Sequence, residues 1–329
     1  MHRKRVPAFT RRKVLSSGAA LAIGATLPSL GSASSDFTFQ SDITLKPAAG
    51  RGKLHPQFQE SASFMQFNGS LPGPEIRVRQ GSNLRVTVEN GLKEETTVHW
   101  HGIRTPNAMD GVPYLTQKPI SPGGRFTYEF SAPDAGTFWY HPHMRSYEQV
   151  GRGLYGALIV EEKEPIKVDR DLTWILDDWR VNKSGEIQDN FGNGHDMSHS
   201  GRIGNLVTIN GRKMDKLAVR KGERVRLRLI NAANARIFAL DFQGHTPSII
   251  AMDGQPVEPH HPDRGLVILG PAMRVDLVLD MQEERGSHHA VMDRFYKGLT
   301  YQLTSLNYTG EPLREHVPDW SLRLPANPL

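Results

Sequence analysis

The chain has 329 residues, 38% of them hydrophobic and 23% charged, and contains no cysteine. That length suits about two domains, and the missing thiol excludes disulfides and any thiolate-ligated metal site within the chain. The net charge of +5 comes from Arg3, Lys4, Arg5, Arg11, Arg12 and Lys13. Beyond residue 33 the chain sets 34 Lys/Arg against 35 Asp/Glu, which removes the case for a nucleic-acid or anionic-membrane surface.

Residues 1–33 have the order of an export signal. A basic stretch ending in Thr10-Arg11-Arg12-Lys13 leads into the apolar run Val14 to Leu30, and Gly31-Ser32-Ala33 offers a cleavage site. The paired arginines resemble a twin-arginine signal, which predicts export to the periplasm. The apolar run is 17 residues long and is interrupted by Gly24 and Pro28. It is too short and broken for a membrane span, and no later segment reads as one.

From Asp36 onward, short alternating runs are separated by Gly, Pro and Asn turns. Leu84 to Glu89 and Arg125 to Phe130 alternate apolar and polar residues, as half-buried strands do. Thr137 to His143 and Leu154 to Val160 read as further strands, the second so apolar that it belongs at the centre of a sheet. Within this region lie His99-Trp100-His101-Gly102 and His141-Pro142-His143. Residues i and i+2 of a strand point the same way, roughly 6.5–7 Å apart. Each pair therefore presents two imidazoles on one face, and two such strands side by side would gather four into a metal-binding wall. Imidazole suits copper, zinc, iron and nickel, and four facing rings could also take zinc tetrahedrally.

Glu161 to Lys167 is charged and broken by Pro165, which marks a boundary between a first domain over residues 36–163 and a second over 168–310. In the second, Leu172 to Leu176, Leu206 to Ile209, Arg224 to Ile230, Leu266 to Leu269 and Arg274 to Leu279 read as strands. The halves rhyme: Phe67-Asn68-Gly69 precedes the Val78 to Val86 strand, and Ile209-Asn210-Gly211 precedes Val219 to Leu227. That suggests a duplicated sandwich. His195 and His199 fall in a Gly/Ser-rich loop, Phe191 to Gly204, where a solvated segment is favoured over a surface metal site. His260-His261 and His288-His289 read as surface pairs. Residues 311–329, with four prolines and no strand pattern, read as a linker.

Several of these segments together resemble the multicopper oxidase family. They are Phe67-Asn68-Gly69-Ser70-Leu71-Pro72-Gly73-Pro74, the two His motifs with their flanks, Asp110-Gly111-Val112-Pro113, Gly153-Leu154-Tyr155-Gly156 and Pro271-Ala272-Met273-Arg274-Val275-Asp276. The resemblance implies an all-β chain of two tandem cupredoxin-like Greek-key β-sandwiches, the second copper-free. It implies copper as cofactor, with His99 resembling a type 2 ligand and His101, His141 and His143 resembling type 3 ligands. Gly102 would let the backbone pass close to the cluster. Asp110 reads as an ordinary Asp-Gly turn sooner than an acid serving the cluster.

No His-x-x-His-x-His and no His-Cys-His occurs, so half the cluster ligands and the Cys-centred type 1 copper are missing from this sequence. The resemblance therefore implies a truncated oxidase, inactive alone. The alternatives are an exported non-enzymatic scaffold or copper-binding module, or one half of an oxidase. A third cupredoxin domain acting in trans, or an oligomer of the same chain, would then be the partner.

Overall fold

The computed structural model describes residues 41–328, so the expected export signal over residues 1–33 lies outside the described residues. The first half contributes β1 (Ser41–Leu45), β2 (Pro47–Gly52), β3 (Ala62–Phe67), β4 (Ile76–Arg79), β5 (Asn83–Glu89), β6 (His99–His101), β7 (Arg125–Ser131), β8 (Gly136–His141), the single turn α1 (Ser146–Gln149) and β9 (Gly156–Glu161). The second contributes β10 (Arg170–Trp179), the turn α2 (Gly194–Ser198), β11 (Leu206–Ile209), β12 (Leu217–Val219), β13 (Arg224–Asn231), β14 (Phe238–Phe242), β15 (Ser248–Met252), β16 (Gln255–His260), β17 (Leu266–Leu269), β18 (Arg274–Asp280), β19 (His288–Asp293) and β20 (Tyr301–Tyr308). No helix among the described residues is long and apolar enough to cross a membrane.

The strands make two tandem sandwiches, the all-β architecture the resemblance implied. In the first, sheet β1-β5-β7 faces sheet β4-β9-β8-β6, with β2 and β3 paired beside them. Alternation does the sorting: Leu84, Val86 and Val88 of β5 are fully buried, while the residues between them are half-exposed. These side chains meet Trp100, Tyr128, Phe130, Phe138 and Leu158 in one core. In the second sandwich, sheet β11-β10-β13-β18-β15-β16 faces β12-β20-β19-β14-β17 around Trp174, Leu227, Leu240, Val267 and Leu277.

The repeated Asn-Gly signal has a shared structural job. Asn68 and Gly69 have φ of 54° and 70°, and Asn210 and Gly211 have 51° and 73°. These are the left-handed values a tight primed turn needs. Each asparagine also clasps a neighbouring strand. Asn68 accepts from Lys46 N at 2.6 Å and donates to Thr44 O at 2.9 Å. Asn210 accepts from Ile175 N at 2.8 Å and donates to Thr173 O at 2.9 Å. The clasped strands, β1 and β10, both run parallel to the second strand after the turn, β5 and β13. The duplication is real at the level of hydrogen bonds.

Strand β8 is buried at all six residues because both of its faces are covered. One face meets the first core. The other packs Trp139 with Tyr155, Ile159, Ile175, Ile230 and Ala232, an apolar seam joining the sandwiches. Beside the seam runs a buried polar network. Thr137 Oγ1 donates to Asp276 Oδ1 at 2.6 Å, and Arg228 Nη1 donates to Thr137 Oγ1 at 3.0 Å. Arg226 spans Glu162 and Asp276, each at 2.7 Å. The charged stretch after β9 is therefore pinned through Glu162, which is 4% exposed.

The tail keeps the irregular backbone expected of it but lies along the protein. Arg314 forks onto Asp169 at 2.6 and 2.7 Å, and Leu324 packs with Ile250, Ala251 and Val278. Asn327 then pairs with both the N–H and the C=O of Ala135, at 2.7 and 2.9 Å. Such a strap has no period to read, because its contacts fall at isolated side chains.

Candidate metal centre

β6 and β8 run antiparallel, with His99 opposite His141 and His101 opposite Trp139. Trp100 and Tyr140 turn to the other face and are fully buried in the first core. His99, His101 and His141 consequently share one face, and their ligand nitrogens all lie within 4.8 Å of one another. β8 ends at His141 because Pro142 has no N–H to continue the ladder. His143 lies just past the strand, where its backbone N–H donates to Thr97 Oγ1 at 3.2 Å. Its ring centroid is 4.5 Å from that of His99 and 5.3 Å from that of His141. All four sequence-predicted histidines come together.

Backbone carbonyls settle two of the four tautomers. His99 Nδ1 lies 2.7 Å from the carbonyl oxygen of Asp110, and His141 Nδ1 lies 3.0 Å from that of Pro142. A carbonyl only accepts, so each Nδ1 carries the proton and each Nε2 keeps its lone pair. Asp110 thus does more than turn the chain. Its carboxylate Oδ1 is also 3.3 Å from His99 Nδ1. Gly111 permits this approach: it has φ of 80°, and a Cβ there would sit 1.9 Å from Val98 O, on the segment entering β6.

His101 Nδ1 faces His141 Nε2 at 3.2 Å. With His141 Nε2 an acceptor, His101 donates its Nδ1 proton across the gap, and a metal ion taking the His141 Nε2 lone pair would replace that hydrogen bond. Burial, then Arg274 and the rings of His99 and His143, push His101 down to about 3. Burial pushes His141 well below the ordinary histidine value, against its bond to Pro142, and His143 is lowered by burial and by His99. At neutral pH these three rings are uncharged bases, each with one lone-pair nitrogen. The donor set fits copper or zinc.

Three contributors were invisible or misread in the sequence. Trp139 lies against two of the rings, with centroids 4.1 Å from His141 and 5.2 Å from His101. Its position two residues before His141 was the available signal. Arg274 comes from the second sandwich. Its guanidinium donates to Thr137 O, Ala272 O and Asp253 O at 3.3, 2.9 and 2.9 Å. Gly102, expected to let the backbone pass close to the cluster, also leaves room for this arginine: it has φ of 88°, and a Cβ would lie 2.2 Å from Arg274 Nη2. Nothing local in sequence announces a contact between residues 102 and 274.

The wall opens on a cleft of about 710 Å³ between the sandwiches, lined by His101, His141, His143 and Trp139 and, from the second sandwich, by Met197, Arg202 and Asn234. The remaining histidine motifs lie elsewhere. His260, His261 and His288 are exposed, as expected. His289 is half-buried instead, its ring 5.1 Å from His245, because neighbours on β19 point to opposite faces.

Family models described as "Multicopper oxidase" match residues 49–165 and 170–310. The multicopper oxidase MmcO of Mycobacterium tuberculosis is 34% identical over 313 residues, covering 82% of this chain and 61% of that protein. Copper resistance protein A of Escherichia coli is 32% identical over 264 residues, covering 66% of this chain and 43% of that protein. The chain therefore spans between about two fifths and three fifths of these relatives' length. The crystal structure of a multi-copper oxidase from Pseudomonas thermotolerans superposes with a TM-score of 0.80 at 38% identity, covering 88% of this chain and 68% of that one.

Proposed function

Because the chain belongs to the multicopper oxidase family, we propose that His99, His101, His141 and His143 hold the first sandwich's share of a type 2/type 3 copper cluster. The protein's activity, in this reading, couples oxidation of a substrate to reduction of O₂ to water. Copper bound at the wall would supply one-electron redox chemistry for that reduction. The observation that carries the reading is the convergence of four imidazoles with two tautomers fixed by Asp110 O and Pro142 O. Those bonds orient the rings and raise their basicity. Trp139 and the apolar seam hold one side of the site against water, while the cleft leaves the other open.

No thiolate exists in these 329 residues to accept electrons from substrate. We therefore infer that these residues act as one half of an oxidase, completed by a third cupredoxin domain docking on the His-lined cleft. The leader pattern around Arg11-Arg12 supports twin-arginine export to the periplasm.

Copper titration with calorimetry tests the wall. The native protein should bind copper, and His101→Ala should weaken binding by at least tenfold; equal affinity would overturn the assignment and favour a copper-free exported scaffold. The copper-loaded chain alone should show no thiolate-to-copper charge-transfer band and no O₂ uptake with a phenol. Uptake that persists in the pure 329-residue chain would refute the half-oxidase reading.

A further inference from the structure

The loop that holds His195 and His199 is more ordered than its Gly/Ser-rich sequence suggests. Residues 194–198 form the helical turn α2, and the turn is fastened from beneath. Asn193 caps it, accepting from Asp196 N at 3.0 Å. Asp196 is 9% exposed, and its two carboxylate oxygens take a forked bond from Arg180 at 2.9 and 3.0 Å. A bidentate, largely buried Arg–carboxylate pair fixes orientation as well as position. Ser198 Oγ closes the turn on Gly194 O at 2.7 Å.

On the solvent side of this fastened turn stand two imidazoles four residues apart. Their rings are stacked, with centroids 4.3 Å apart and planes 25° from parallel. His195 lies in the turn and His199 is its non-helical C-cap residue, and the stack itself places both rings on one side of the turn. His199 Nδ1 lies 3.0 Å from Ser198 Oγ, whose own proton goes to Gly194 O, and 3.1 Å from His195 O, which can only accept, so Nδ1 carries the proton and Nε2 keeps its lone pair. Neither nitrogen of the His195 ring has a hydrogen-bond partner among the described residues. The pair offers the unbonded His195 ring and the Nε2 of His199, held side by side by a backbone that a buried ion pair keeps in place.

We propose that His195 and His199 form a second metal site, a two-imidazole chelate for a borderline divalent cation, Cu(II) or Zn(II), with water completing the coordination. The chemistry is that of two imidazoles held side by side at the end of a short helical turn. Each ring supplies one nitrogen at about 2.0–2.1 Å, and the pinned turn removes most of the ordering cost of bringing both rings to one ion. The site is separate from the His99–His143 wall but close to it in the fold. Asp196 and Met197, inside the same turn, line the cleft onto which His101, His141 and His143 open. A cation held here waits at the rim of that cleft, on the opposite sandwich.

The proposal does not depend on copper at the wall, and its test separates the two. Zinc chloride alone is titrated by calorimetry into the native protein and into a His195→Gln/His199→Gln variant. Both side chains are exposed, so the fold survives the change. The native protein should bind one more equivalent of zinc than the variant, whatever the wall does; equal stoichiometry overturns the proposal. Asp196→Asn keeps both imidazoles but breaks the charged fork to Arg180, and should weaken that extra equivalent on the order of 10–100-fold. Unchanged zinc affinity in Asp196→Asn would show that the turn is not the organising element. Substoichiometric Cu(II) gives an independent readout. It should broaden the ring-proton resonances of His195 and His199 together, and broadening of one without the other refutes chelation.

Discussion

At His99 the bond that sets the ring is made by a backbone carbonyl, so the side chain of Asp110 matters less than the path of its backbone. Gly111 fixes that path through its positive φ and its contact with Val98 O. This orders the consequences of two neighbouring substitutions. Asp110→Ala removes the 3.3 Å carboxylate contact and leaves the 2.7 Å carbonyl bond intact. Gly111→Ala must move the turn itself, because its φ is costly for alanine, by roughly 1–3 kcal/mol, and its Cβ would overlap the Val98 carbonyl. Copper affinity should therefore fall by about tenfold or more in Gly111→Ala and by less in Asp110→Ala. Parallel calorimetric titrations check the order, and a larger loss in Asp110→Ala would mean the carboxylate, not the carbonyl, holds the ring.

At the scale of an element, β8 joins everything. It carries His141 at its end, Trp139 against the imidazoles, and Thr137 in the polar network of the second sandwich. Thr137→Val keeps the shape and deletes the hydroxyl, leaving Asp276 Oδ1 and Arg228 Nη1 each short of a buried partner. That should cost roughly 1–3 kcal/mol, seen as a lower denaturation midpoint in urea with an unchanged slope. A fully neutral outcome would mean that water or a rearranged Arg226 restores the network. The same strand also explains why the second sandwich matters to the metal wall. Arg274 reaches across to Thr137 O and fills the space over Gly102, so the second sandwich braces both histidine strands.

Over the whole molecule, the tail runs from Asp169 and Arg314 to Ala135 at the foot of β8. The hydrogen bond from Arg314 holds the Asp169 carboxyl below the ordinary carboxylate range. A depressed folded-state value means that the pair stabilises the fold above the ordinary carboxylate pKa, and that this contribution is lost as pH falls through the folded value. Acid should therefore release residues 312–324 before the sandwiches unfold. Hydrogen exchange of that segment, rising in acid while β13 and β18 stay protected, would show it. Asp169→Asn should produce the same release at neutral pH, and simultaneous loss of tail and sandwich protection would mean that the strap is part of the cooperative core.

Sequence patterning by itself placed several strands. Leu206–Ile209 and Leu266–Leu269 fall where alternation and turn residues placed them. The facing of His99, His101 and His141 follows from the two-residue repeat of an extended chain. The repeated Asn-Gly turns announced the duplication, because a left-handed pair of residues is a local requirement written in local residues. Tertiary structure alone decided the rest: the Arg274 brace, the burial of Glu162, the strapped tail, and the stacking of His195 on His199. Each depends on partners brought close by packing, and a contact between residues 102 and 274 leaves no pattern within any window of the chain.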